Sequence, residues 1–209
     1  MRLPRELDAI ETRVLGCLLE KERTTPDAYP LTLNSLTSAC NQKSNRDPVM
    51  DLTAPEVNEV LGRLRAEVLV WPEEGPRATK WTHNLDRKWD LDPAAMAVMT
   101  VLLLRGPQTV GELRTRTERM HPFASTRDVE DVLVDLAGGD DPLAVHLARQ
   151  PGQKEARWTH LVGGEPDVAT AVFTPSAAPP VSGLAERLTE LEERVARLEE
   201  ALSRIDPAL

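Results

Sequence analysis

Aromatic side chains supply only 3% of this 209-residue chain. A core built from it must be filled by aliphatic side chains. Cysteine is scarcer still, with Cys17 and Cys40 standing alone and no CxxC between them. That excludes a disulfide framework and fits a reducing, cytoplasmic setting. No apolar run approaches the roughly 18 residues that span a bilayer, so no membrane partner is expected. The opening "MRLPRELDAIETR" is charged from its second residue, which leaves no room for a signal-peptide core. Positive charge is also in deficit. Lys and Arg total 25 against 34 Asp and Glu, a formal charge of −9. Such a chain has no general attraction for phosphate backbones, and nucleic-acid contact would need a local basic patch.

Catalytic signatures are missing in the same way. There is no Gly-rich phosphate loop and no GxSxG. His83, His121, His146 and His160 form no HExxH or HxH spacing. Cys40 has no nearby histidine to activate it. The expectation is a non-enzyme with no metal and no cofactor. What the chain does have is 41% hydrophobic and 28% charged residues. That is enough for one or two ordinary folded domains.

Those residues are arranged twice. "VLGCLL" (14–19) matches "VMTVLL" (98–103), and "PLTLNSL" (30–36) matches "PQTVGEL" (107–113). "TAPEVNEVLGRL" (53–64) matches "STRDVEDVLVDL" (125–136), and "KWTH" (80–83) matches "RWTH" (157–160). The matches keep their order, and their displacement changes only in Pro-, Asn- or Gly-rich stretches, where loops lengthen cheaply. The pattern indicates a duplicated unit.

Each unit reads as three helices and a hairpin. Ile10, Val14, Leu15, Leu18 and Leu19 line one face of a first helix. Its copy begins at Asp92, an N-cap with Pro93 at the first helical position. Thr32 and Thr109 cap the second helices, and Thr53 and Ser125 the third. Val57, Val60, Leu61 and Leu64 form the inner stripe of one third helix; Val129, Val132, Leu133 and Leu136 form that of the other. Short β-like runs follow: "VLVW" and "ATKWTH", then "LAVHLA" and "EARWTH". Trp81 and Trp158 are expected to close each hairpin over the helices. The order predicts a mainly α fold with small β-hairpin wings: two tandem winged helix-turn-helix domains over 1–90 and 91–162.

A Pro- and Ala-rich linker over 163–180 precedes a different pattern. Leu184, Leu188, Leu191, Val195, Leu198, Leu202 and Ile205 alternate spacings of three and four. Arg187 and Arg194 flank this seam on one side, Glu192 and Glu199 on the other. The spacing predicts a coiled-coil helix over 181–209 that joins two chains as a parallel homodimer.

Two stretches resemble a known family. "VLGCLLEKERTTPDAYPLTLNSLTSACNQKSNRDPVMDL" (14–52) looks like the signature of the bacterial YceH-like proteins, and "GELRTRTERMHPF" (111–123) resembles their second block. The resemblance covers about residues 7 to 162 and the terminal coiled coil that members often carry. It implies two tandem winged-helix domains and brings no assigned activity and no catalytic residue.

The run "NQKSNRDP" lies between the second and third helices. Its Asn, Ser and Asp side chains suit a turn that Pro48 keeps from becoming helix. Its charges also suit contact with phosphates or base edges through Asn41, Gln42, Lys43, Ser44, Asn45 and Arg46, or binding of a small anion. Further candidates are Arg63 and Arg65 on the third helix. In the second unit Arg105, Arg114, Arg116, Arg119 and Arg127 outnumber Glu112 and Glu118, and Arg149 and Lys154 flank the wing turn. The third helix of that unit carries Asp128, Glu130, Asp131 and Asp135, an unpromising face for DNA. The leading expectation is a dimeric, DNA-binding or transcription-associated protein. The alternative is a scaffold whose acidic third helices dock a protein partner.

Overall fold

The computed structural model describes residues 5–149 and 153–164. These residues form a mixed α/β fold, roughly half helical, with small antiparallel sheets. The first half runs α1 (Ala9–Thr24), β1 (Leu31–Thr32), α2 (Leu33–Cys40), α3 (Ala54–Ala66), β2 (Val70–Glu73), β3 (Lys80–His83) and the one-turn α4 (Leu85–Lys88). The second half runs α5 (Pro93–Arg105), α6 (Val110–Thr117), α7 (Thr126–Ala137), β4 (Ala144–Leu147) and β5 (Arg157–His160). The coiled-coil expectation at 181–209, with its seam Leu184, Leu188, Leu191, Val195, Leu198, Leu202 and Ile205, lies outside the described residues, as does most of the linker. Among the described residues no helix is long and apolar enough to cross a membrane.

Helix starts obey their local signals. Asp92 accepts from the Ala95 N–H at α5, and Pro93 occupies the first helical position. Thr32 accepts from Ser35 at α2. At α3, α6 and α7 the caps Thr53, Thr109 and Ser125 form reciprocal boxes with Glu56, Glu112 and Asp128. Each box satisfies two backbone donors that a helix end leaves orphaned. Asp8 and Glu11 do the same for α1.

The halves correspond bond by bond. The Leu69 N–H donates to the carbonyl of Leu64 at 2.9 Å, and Leu143 donates to Leu136 at 2.8 Å. Asn84 donates to Leu69, and Leu161 to Leu143, each at 2.9 Å. Val57 and Val129 are both fully buried, each on the inner face of the helix that precedes its hairpin. The first sheet has the order β1-β3-β2, with Leu31 opposite Trp81. In the second half that third strand shrinks to one bridge. There Gln108 and Trp158 exchange backbone hydrogen bonds of 2.9 and 2.7 Å beside the β4–β5 hairpin. These outer pairings are not legible in the chain, because two residues are too few for an alternation to register. Trp81 and Trp158 are buried, as expected of side chains that close a hairpin onto helices.

One apolar cluster runs through both halves. Its centre is the contact between α1 and α5. Helix α5 is buried on every side from Ala95 to Leu104, which matches its almost uninterrupted apolar sequence. Gly16 sets the approach of the two helices. A methyl group there would lie 2.8 Å from Cδ2 of Leu104 and 3.1 Å from Cβ of Leu103.

Candidate functional site

The loop after α2 folds onto the protein through its own polar groups. Asn41 donates from Nδ2 to the Leu52 carbonyl at 2.7 Å and accepts from the Leu52 N–H at 2.8 Å, closing the loop like a rung of sheet. Arg46 turns inward. Its guanidinium donates to both carboxylate oxygens of Glu20, at 3.0 and 2.7 Å, and to the carbonyls of Ala39 and Asn45 and to Oε1 of Gln42. Burial opposes the charge on Glu20, but the hydrogen bond and charge of Arg46 outweigh it and hold the carboxyl below its ordinary range. Arg13, also buried, donates to the carbonyls of Cys40 and Pro48 from beneath. Arg105 of α5 reaches Oδ1 of Asn45.

Every arm of the Arg46 guanidinium, a candidate for phosphate contact, is thus occupied inside the protein. Asn41 and Gln42 are likewise engaged with the loop's own scaffold. Lys43, Ser44 and Asn45, with Asp47 and Pro48, are the exposed part of the run.

Other predicted cations divide in the same way. Arg63 bonds Asp8 at 2.6 Å, Glu11 at 2.9 Å and Glu59 at 3.0 Å. It helps, after Arg5, to hold the Glu11 carboxyl at about 2 against the opposing effect of burial. Arg114 donates to the carbonyls of Phe123 and Ala124, pinning the turn after α6. Arg116 sits 3.4 Å from Glu112. Arg65, Arg119, Arg149 and Lys154 are exposed. Arg149 and Lys154 flank a hairpin tip, 150–152, that lies outside the described residues.

A different surface is left open. On α7, Val129, Leu133 and Leu136 face the core, while Arg127, Glu130, Asp131, Val134 and Asp135 face out. Val134 is 58% exposed, in the middle of these carboxylates. Among the described residues Glu130, Asp131 and Asp135 meet no cation. The acidic character continues off the helix, where Asp135 shares the wall of a 190 Å³ cavity with Asp90 and Asp92.

Comparison with known proteins places most of this region in one family. The family described as "Protein of unknown function, DUF480" matches residues 7–153. The chain belongs to this bacterial family. Its relatives include a UPF0502 protein of Geotalea uraniireducens, 56% identical over 171 residues that cover 81% of this chain and 78% of the relative. The UPF0502 protein of Geobacter sulfurreducens is 51% identical over 185 residues, covering 88% and 83%. That of Chromobacterium violaceum is 48% identical over 168 residues, covering 79% and 76%. The DUF480 match begins just before the α1 cap and ends in the β4–β5 turn. It therefore spans the first half with the loop after α2, and the second half through the acidic face of α7 as far as β4.

Proposed function

We propose that each half of the protein is a winged helix-turn-helix module and that the pair works as a non-catalytic, dimeric adaptor. In this reading the acidic outer face of α7 docks a basic segment of a partner protein. The modular reading is supported by the order of three helices and a hairpin in each half, and by the third strand that pairs beside each hairpin. The docking reading is carried by one observation: Val134 stands exposed among Glu130, Asp131 and Asp135. In a DNA reader of this architecture that helix enters the major groove. Carboxylates brought against phosphates repel, while a cationic segment gains both charge complementarity and an apolar contact.

A second reading, DNA contact through the first half, is favoured by the exposed Lys43 and by Arg65, which has no partner among the described residues and lines a groove with Asn34 and Asn58. Fluorescence anisotropy separates the two. A labelled random duplex and a labelled Arg- and Leu-rich peptide are titrated from low to physiological salt. Adaptor function predicts peptide binding that Glu130→Lys with Asp131→Lys abolishes, and negligible DNA binding even at low salt. Duplex binding that weakens steeply with salt and is lost in Lys43→Ala with Arg65→Ala would replace it with the DNA reading.

A further inference from the structure

Where the two halves meet, α1, the loop after α2, α5 and α6 wall a cavity of about 300 Å³. Three arginines line it: Arg105 from the last turn of α5, Arg116 from α6 and Arg119 from the turn that follows. Their pairing sets them apart. Arg5, Arg46, Arg63 and Arg157 each meet a carboxylate at 2.6–2.8 Å. Among the described residues the Arg105 guanidinium meets only the neutral carboxamide of Asn45. Arg119 has no partner among the described residues, and Arg116 shares Glu112 at 3.4 Å with Arg157. The acids on the cavity wall do not compensate. Glu20 is taken by Arg46 at 2.7 Å and Lys21 at 3.2 Å, which leaves Glu118 alone. Burial, then the charges of Arg116 and Arg46, push the Arg105 guanidinium below its ordinary range, and the opposing charges of Asp47 and Glu20 do not restore it.

We propose that this cavity is a binding site for a small molecule carrying a phosphate group, gripped by Arg105, Arg116 and Arg119. Guanidinium forks match tetrahedral oxyanions bidentately, and two or three converging on one group favour a dianion over a carboxylate. The volume lies at the small end of ligand pockets, which limits the occupant to about the size of a sugar phosphate. Val101, Leu104 and Met120 offer its body an apolar wall. Because Asn45 and Glu20 come from the first half and the arginines from the second, an occupant bears on the contact between them.

Isothermal titration of the full chain with inorganic phosphate, in chloride buffer of fixed ionic strength, tests the site. Saturable binding at one site per chain is expected. Arg119→Gln removes an exposed side chain with no partner among the described residues, so the fold is kept, and it should weaken binding at least about tenfold, as loss of a charge-assisted contact does. Arg105→Gln should do the same, and Lys154→Gln, on the second hairpin, should change nothing. Absence of saturation with millimolar phosphate overturns the proposal, as does undiminished binding by Arg119→Gln. A parallel titration with glycerol 3-phosphate distinguishes the sources. Tighter binding than inorganic phosphate identifies an organic ligand, and equal affinity identifies phosphate itself; both support the site.

Discussion

Arg46 and Glu20 form a buried ion pair, with both nitrogens of the guanidinium end on both oxygens of the carboxylate, at 2.7 and 3.0 Å. The pair joins the loop after α2 to the middle of α1. Removing one partner of such a pair strands the other charge away from water. Arg46→Ala should therefore destabilise the protein by about 3 kcal/mol, with Lys21 retaining part of the interaction with Glu20. Lys43→Ala, three residues earlier and exposed, should stay within about 0.5 kcal/mol. Urea denaturation of the two variants checks the contrast. Equal stability would mean that Arg46 is a surface residue after all.

Gly16 makes the contact of α1 with α5 possible. Alanine would gain helix propensity but bring its methyl to 2.8 Å from Leu104. Valine adds two more carbons in the same confined place, and overpacking of this kind costs about 1–3 kcal/mol. Gly16→Val should lower the denaturation midpoint accordingly. The same change at Gly62, where nothing lies within 4 Å, should be neutral or slightly stabilising, because valine is a better helix former than glycine.

Acid should weaken the fold in two stages. Burial holds the His160 imidazole near 4, below its ordinary 6.5. Between these values the unfolded chain binds a proton that the folded chain refuses, so stability is full above about pH 6.5 and falls as pH drops towards 4. The loss between pH 7 and pH 5 is about 2 kcal/mol. Glu11, held at about 2 against an ordinary 4.5, adds a further loss below pH 4.5 as its ion pairs are protonated. Denaturation midpoints at pH 7, 5 and 4 measure the first stage, and His160→Gln should flatten it.

Deletion of residues 181–209 should convert a dimer into a monomer in sedimentation experiments, because the proposed seam of Leu184, Leu188, Leu191, Val195, Leu198, Leu202 and Ile205 lies there. A dimer that persists would place the interface elsewhere.

Much of the described architecture was legible in the chain because its causes are local. A cap acts across three residues, so Thr32, Thr53, Asp92, Thr109 and Ser125 announce their helices directly. An inner stripe repeats within two turns, so Val57 and Val129 were recognisable as core from spacing alone. The strands β2 to β5 followed from short apolar runs between Gly- and Pro-bearing turns, with ends shifted by a residue or two. The distribution of surface charge was less legible. Its acidic part, on α7, could be read because a helix face is also a local pattern. The fate of the cations could not.

That division has a physical basis. Where helices begin, which side of each turns inward and the recurrence of one pattern are written in neighbours a few residues apart. Which charges remain free depends on how distant segments pack. Arg46 finds Glu20 across 26 positions, Arg63 finds Asp8 across 55, and Arg105 is left facing an amide. The partner of a charge is chosen by which surfaces pack together: α1 against the loop after α2 and against α3, and, between the halves, α1 against α5 at Gly16, contacts no local pattern encodes.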